Sequence, residues 1–329
     1  MPEGHSVHRI ARQFALHFVG KRVAVSSPQG RFAAGAERID GHVMIDAKAV
    51  GKQMFLRFEN APFDDHLFLH VHLGMYGAWD FAGDFTTDAT IASANGKMGQ
   101  TNQRGTVVDS RAEDSLMSIG APRLTRLRMS ESENLTAGEG TFPPDPIGAV
   151  RVRLLTENTV ADLRGPTVCD VLDAAEVQSI IDRLGPDPLV DNAKKGEERF
   201  VERVRKKPTP IGLLLMDQSV VSGIGNVYRA ELLFRARLDP HTAGKDVPEE
   251  TVRELWRDWT KLLKIGVKTG QMLTMDGLSP AKQKLALANR ADRHWVYHRT
   301  GEPCRVCGTP IVMELAAGRK LYYCPTDQK

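Results

Sequence analysis

Two rhythms of apolar residues divide the chain. Over residues 3–18 the apolar positions Val7, Ile10, Ala11, Phe14 and Phe18 recur at helical spacing, which predicts an amphipathic leading helix. Short apolar runs follow at 23–26, 42–49, 53–58, 66–73 and 76–81, separated by Gly, Pro, Asp or Asn. Runs of that length between turn formers read as strands. The pattern resumes at 150–155 and 159–163, and these strands together read as a β-sandwich. Between the two sets, residues 93–145 are rich in Ser, Thr, Gly, Asn and charge, with Phe142 the only aromatic. That composition reads as a long, mobile insertion.

From about residue 191 the period becomes helical. Residues 197–207 are amphipathic and basic, and Thr209 reads as an N-cap with Pro210 at the first position of a helix over 211–218. Gly223-Ile224-Gly225-Asn226 reads as a tight turn before a helix over 227–236, and a further helix is expected over 249–268. This is the logic of a helix–two turns–helix module. Residues 269–290 read as a connector and 291–329 as a β-hairpin.

The hairpin segment changes the picture because it gathers cysteine. Three of the four cysteines in the chain lie there: Cys304 and Cys307 form a C-x2-C pair, and Cys324 is followed by Asp327 where a second pair would have its last cysteine. Two such pairs at this separation are a structural zinc signature. A carboxylate is a harder and less common ligand, so three readings stay open: a Cys3Asp zinc site, a weakened or empty site, or cysteines unrelated to metal. The fourth cysteine, Cys169, lies in an apolar run and reads as a small buried hydrophobe. His5, His8 and His17 along the leading helix read as surface or hydrogen-bonded histidines before they read as ligands.

At the other end, the chain begins Met1-Pro2-Glu3. Methionine is trimmed when a small residue follows, which would make Pro2 the amino terminus. An unperturbed α-amino group has a pKa of roughly 8, so part of it is neutral and nucleophilic near neutral pH. A secondary amine can attack a sugar carbon to form an iminium, and an adjacent carboxylate can move protons.

Composition narrows the class without naming it. A length of 329 residues allows two or three domains. A 41% hydrophobic share and mean hydropathy of −0.30 suit a soluble globular protein. No apolar run is long enough to span a membrane, and residues 1–20 lack a signal-peptide core. Few, clustered cysteines suit a reducing cytosol. Charge is unevenly spread: residues 1–190 hold 19 Lys and Arg against 24 Asp and Glu, whereas residues 191–329 hold 25 against 17. A basic second half is what a phosphate-binding surface requires.

Several further motifs run along the chain in order. They are Ser26-Ser27-Pro28-Gln29-Gly30-Arg31-Phe32, Gly51-Lys52, His70-Val71-His72-Leu73-Gly74-Met75-Tyr76-Gly77, Asp162-Leu163-Arg164-Gly165-Pro166-Thr167-Val168-Cys169, Leu184-Gly185-Pro186-Asp187-Pro188-Leu189, Met216-Asp217-Gln218, and Gly318-Arg319 before Tyr322-Tyr323-Cys324-Pro325. With Pro2-Glu3-Gly4-His5 and Gly223-Ile224-Gly225-Asn226-Val227-Tyr228, the set resembles the Fpg/Nei family of bifunctional DNA glycosylases, in wording closest to the actinobacterial endonuclease VIII-like branch. The resemblance covers nearly everything except about residues 83–147.

The resemblance implies an α+β multidomain fold: a catalytic β-sandwich domain with its leading helix over 1–175, including the 93–145 insertion, a helical DNA-binding domain over 190–290, and a zinc-finger-like β-hairpin over 291–329. It implies a glycosylase and abasic-site lyase acting on oxidised bases, pyrimidines in particular, as a monomer on damaged DNA. Its implied place is the cytoplasm, at the nucleoid. Pro2 would be the nucleophile at C1′, Glu3 the proton relay and Lys52 the general acid. Extruding a base leaves a hole; Met75 and Tyr76 at the Gly74 turn would fill it, and Arg164 would face the orphaned base. Asn226, after glycines that let backbone N–H groups approach closely, and Arg319 at the hairpin tip would hold phosphates. Cys304, Cys307, Cys324 and Asp327 would hold structural Zn2+.

Two other classes compete. A catalytically silent damaged-DNA-binding protein on the same scaffold is favoured by Asp327 and the insertion, and disfavoured by the intact Pro2, Glu3 and Lys52. A metal-dependent nuclease would need a tight carboxylate cluster that the sequence does not offer.

Overall fold

The strand-forming runs pair into one continuous antiparallel ladder. In a computed structural model that describes residues 2–59, 66–85, 118–120, 142–289 and 292–329, the chain forms two compact units. The first runs to Asp182, with Val267–Gly270 added; the second is Arg183–Gly266 with Gln271–Lys329.

The first unit opens on helix α1 (Gly4–His17). Among the described residues nine strands follow: β1 (Arg22–Ser26), β2 (His42–Val50), β3 (Gln53–Glu59), β4 (His66–His72), β5 (Ala78–Gly83), β6 (Ser118–Gly120), β7 (Val150–Leu155), β8 (Thr159–Arg164) and β9 (Val168–Leu172). Their hydrogen-bonded order is β6-β5-β8-β7-β1-β2-β3-β4-β9. Strand β1 joins the two halves: it pairs with β7 along three positions but with β2 only at Arg22↔Val43 and Val23↔His42. Apolar residues from both halves, from Met54, Leu56 and Leu69 to Trp79, Val152 and Leu163, share one core. The fold is thus the expected sandwich.

Helix α1 lies inside that core. Val7, Ile10, Phe14 and Phe18 are buried, and Phe14 meets the edge of Trp79 at 4.8 Å. Fully burying a side chain of this size contributes about 1.5–3 kcal/mol. Most polar residues of the helix are buried too, His5, His8 and His17 among them, and the wet face shrinks to Arg12, Ala15 and Leu16.

Two elements of this unit carry no strong periodic signal: helix α2 (Ala33–Ile39), with Ala36 and Ile39 buried, and helix α3 (Ala174–Asp182). Most of the expected 93–145 insertion, including Arg123, Arg126 and Arg128, lies outside the described residues. Its described part is not featureless, because β6 pairs with β5 through Trp79↔Ile119.

The second unit is helical, with a terminal hairpin. Helix α4 (Ala193–Arg205) is capped by Asn192, whose side chain accepts from the N–H groups of Lys194 and Lys195 at 3.2 Å. Helix α5 (Ile211–Leu214) is shorter than the sequence suggests. Helix α6 (Asn226–Arg235) is buried along nearly its whole length. Helix α7 (Glu249–Thr269) is the longest, and α8 (Pro280–Ala288), capped by Ser279, occupies part of the expected connector. The hairpin pairs β10 (Val312–Ala316) with β11 (Arg319–Tyr323).

Candidate functional site

Helix α1 fixes the first pair of candidate residues. Pro2 and Glu3 are buried immediately before its first turn, and the Glu3 carbonyl starts the helix by accepting from Ser6 N–H at 2.9 Å. One turn on, His5 is buried, and its pKa is lowered to about 3 by desolvation and then by the Arg9 charge. Burial thus favours its neutral form.

Helix α1 packs on β2 and β3, the hairpin that carries Lys52. The pair Val50↔Gln53 leaves Gly51-Lys52 as a two-residue turn. Gly51 takes φ +59, the first-position conformation that a tight hairpin with glycine there requires. Lys52 is half-buried at this tip. Desolvation, and after it the Lys52 charge, holds His72 below its ordinary pKa. His70, stacked on Phe55 at 5.0 Å and bonded to Gln53 Oε1 at 2.9 Å, is lowered to about 4 by burial. The strand face beside Lys52 thus carries two imidazoles that favour the neutral form.

After β4 the chain turns at Gly74, φ +64, where a Cβ would come within 1.8 Å of Thr167 Oγ1. This close packing pins the turn while leaving the next two side chains outside it. Met75 and Tyr76 are each 57% exposed, two adjacent large groups in water where most such side chains are covered.

Arg164 is turned into the sheet. It is only 4% exposed, ion-paired with Asp80 across β5 and β8, and bonded to the Ile147 carbonyl. Burial lowers its pKa to about 10, which still leaves it charged near neutrality. In this fold the guanidinium is engaged by the sheet, at the position the sequence reading placed opposite an orphaned base.

In the second unit, Asn226 is also turned inward. Its amide donates to the Lys320 carbonyl at 2.7 Å, and its Oδ1 accepts from Arg229. Arg229, 0% exposed, donates to the same carbonyl at 3.0 Å. The residue expected to donate to phosphate thus also braces the hairpin. The Gly223 N–H is likewise engaged, by Gln218 Oε1 at 3.0 Å. Arg319, by contrast, is exposed beside the hairpin turn. That turn is Ala317-Gly318, with φ +48 and +75, the doubly left-handed form that suits a two-residue hairpin.

The four expected metal ligands converge. One donor atom from each of Cys304, Cys307, Cys324 and Asp327 lies within 4.8 Å of every other. Asp327 Oδ2 is 3.0 Å from Cys304 Sγ, and Cys307 Sγ is 3.5 Å from Cys324 Sγ. The Val306 and Asp327 N–H groups point at Cys304 Sγ and Cys324 Sγ, each at 3.4 Å. Burial and then Asp327 push the Cys304 thiol up to about 12, so loading must displace protons. Three sulfurs and one oxygen at this spacing fit a tetrahedral divalent ion of zinc's preference.

Comparison with known proteins decides the family. The chain matches the formamidopyrimidine-DNA glycosylase N-terminal domain over residues 1–115, the H2TH domain over 184–276, and the zinc finger of FPG and IleRS over 301–329. It is 37% identical over 328 residues to Endonuclease 8 1 of Mycobacterium tuberculosis, covering 100% of both chains. The chain belongs to the Fpg/Nei family of DNA glycosylases. It is also 37% identical over 196 residues to formamidopyrimidine-DNA glycosylase of Thermus thermophilus, covering 57% of this chain and 72% of that one.

The family's solved structures share the fold. Lactococcus lactis Fpg in complex with DNA containing an abasic site superposes with a TM-score of 0.67 at 18% identity, over 99% of each chain. The same protein with DNA containing an oxidised pyrimidine gives 0.66 at 19%, over 100% of each chain. A DNA-repair glycosylase with an H2TH domain and a structural zinc finger is therefore the established class. Cys304, Cys307, Cys324 and Asp327, the cluster that could hold a metal ion, all fall within the matched finger. Among the described residues no helix is long and apolar enough to cross a membrane.

Sequence reasoning missed the polar interior of α6. Arg229 and Glu231 are both fully buried. Glu231 accepts from the N–H groups of Trp295, Val296 and Tyr297 at 2.8–2.9 Å and from the Thr274 hydroxyl. The alternation of charged and apolar residues in 226–235 gives no sign of this, because a buried ion-rich helix and a solvated one read alike.

Proposed function

We propose that this glycosylase is bifunctional: it excises oxidised bases, pyrimidines in particular, and nicks the resulting abasic site, working as a monomer on damaged DNA at the nucleoid in the cytoplasm. The observation that carries the reading is the Pro2-Glu3 pair, buried at the head of α1, in a chain that matches an endonuclease 8 end to end.

With Met1 removed, the Pro2 secondary amine attacks C1′ of the damaged nucleotide. The glycosidic C1′–N bond breaks and the base leaves with a proton. Glu3 protonates the ring oxygen as the sugar opens, leaving an iminium between Pro2 and C1′. The iminium acidifies the 2′ hydrogen; its loss expels the 3′ phosphate, and a second elimination can expel the 5′ phosphate. Lys52 is the general acid in this scheme. Met75 and Tyr76 fill the vacated stack. Arg319 holds phosphate, with Asn226 acting through the hairpin. The zinc finger gives that hairpin a rigid base when loaded; it takes no part in the chemistry.

The test is strand nicking on duplexes carrying a single lesion, in EDTA. The proposal expects nicking at an oxidised pyrimidine such as thymine glycol to exceed nicking at 8-oxoguanine, and to persist in EDTA over the assay. Faster nicking at 8-oxoguanine would overturn the pyrimidine assignment. Base release without nicking would remove the lyase step. Binding with neither would leave the silent-scaffold reading.

A further inference from the structure

Arg237 follows α6 by two residues and sits in the left-handed region at φ +54. Its N–H donates to the Phe234 carbonyl and the Leu238 N–H to the Leu233 carbonyl, each at 3.0 Å. This double closure is the helix ending whose left-handed position is ordinarily glycine, because a Cβ there costs energy. Here the position carries one of the longest side chains instead.

That side chain reaches the metal donors. The guanidinium lies over the Phe234 ring, 5.2 Å from its centroid, and pairs with Asp327 Oδ1 at 2.7 Å. The other oxygen, Oδ2, faces Cys304 Sγ at 3.0 Å and Cys324 Sγ at 3.5 Å. The two oxygens of one carboxylate therefore have separate partners. The backbone around the pair is tied down as well: Lys329 N–H donates to the Arg237 carbonyl at 3.3 Å, and Gln328 joins the Leu238 carbonyl to the Cys324 N–H.

We propose that Arg237 is the positioning residue of the zinc finger, holding Asp327 Oδ1 so that Oδ2 is presented to the metal as a single-oxygen donor. The inference rests on the four-residue donor set. A thiolate offers one donor atom, whereas a carboxylate offers two and can rotate, so a carboxylate in a sulfur-rich site needs an orienting partner. Charge points the same way. Three thiolates and a carboxylate bring four negative charges to a divalent cation, and the guanidinium offsets part of the excess. The left-handed backbone is the cost of placing that guanidinium.

The test is the zinc dissociation constant, measured by competition with a chromophoric chelator, together with the charge-transfer and d–d bands of the Co2+-substituted protein. Arg237→Met should weaken zinc binding about 10–100-fold, the usual effect of losing an orienting partner, and shift the cobalt bands. Arg237→Gly should weaken zinc equally while leaving the thermal midpoint in EDTA unchanged or higher, because it relieves the backbone. In an Asp327→Cys background, Arg237→Met should change zinc affinity by less than about twofold. Zinc affinity within twofold of wild type in both single variants would overturn the proposal. So would an equal loss in the Asp327→Cys background, which would mean that Arg237 supports the helix end and not the ligand.

Discussion

Asn226 donates its side-chain amide to the main-chain carbonyl of Lys320 at 2.7 Å. The residue expected to touch phosphate thus holds the strand on which Arg319 is exposed, and Arg229 grips the same carbonyl. Arg229 still satisfies that carbonyl when Asn226 is removed, so the cost is that of one hydrogen bond, about 0.5–1.5 kcal/mol. Asn226→Ala should therefore destabilise the hairpin and weaken DNA binding, but through Arg319. Combined with Arg319→Ala, it should weaken binding little beyond Arg319→Ala alone. Fully additive losses in fluorescence anisotropy titrations would instead favour a direct phosphate contact by Asn226.

Arg164 and Asp80 are a buried ion pair. Taking one member away strands the other, at about 3–5 kcal/mol. Arg164→Met should lower stability in urea unfolding by that order, and Asp80→Asn in the same chain should recover much of it. The base opposite the lesion should matter as much to the variant as to wild type. A change in opposite-base preference without a loss of stability would restore the role that the sequence suggested.

Met75 and Tyr76 make the opposite case. Both are more exposed than buried, and exposed substitutions shift stability by about 0.5 kcal/mol or less. Met75→Ala with Tyr76→Ala should leave the melting temperature nearly unchanged. Excision from duplex DNA should fall by about tenfold or more, because refilling the stack offsets a few kcal/mol of unstacking. Excision from single-stranded DNA should fall much less. Equal losses on both substrates would argue against the wedge.

The hairpin also carries a titrating contact. His241 lies between Asp239 Oδ1 and Glu314 Oε1, 2.7 Å from each. Desolvation lowers its pKa, but the hydrogen bonds and charges of Glu314 and Asp239 outweigh it, and the net shift is upward. A raised folded-state value means that the stabilisation is complete below the unfolded value of about 6.5 and fades as pH rises through the folded one. His241→Gln should therefore lower the melting temperature more at pH 6 than at pH 9. The reverse order would contradict the assignment.

How far these features were legible varies with their physics. Helix α1 and the strands from β1 to β5 could be read because their apolar residues recur at the period of the element. Helix α2 could not, since only Ala36 and Ile39 of its seven residues are buried. Strand β8 is buried on both faces, so Arg164 sits in a place that an alternating strand would expose. The metal donors were visible as spacing, but Arg237 was not, because its meaning lies in a left-handed backbone that no composition reveals. Asn226 was identified at the right turn, but its bond to the Lys320 carbonyl was not legible, since sequence fixes a side chain's position on a helix without fixing what it faces.

The most direct test of the central claim is borohydride trapping on a duplex with one abasic site, wild type beside Pro2→Gly, with intact mass confirming removal of Met1. The account predicts a covalent protein–DNA adduct in wild type and its loss in Pro2→Gly, with DNA affinity kept. An adduct of equal yield in Pro2→Gly, or none from folded, DNA-binding wild-type protein, would contradict it.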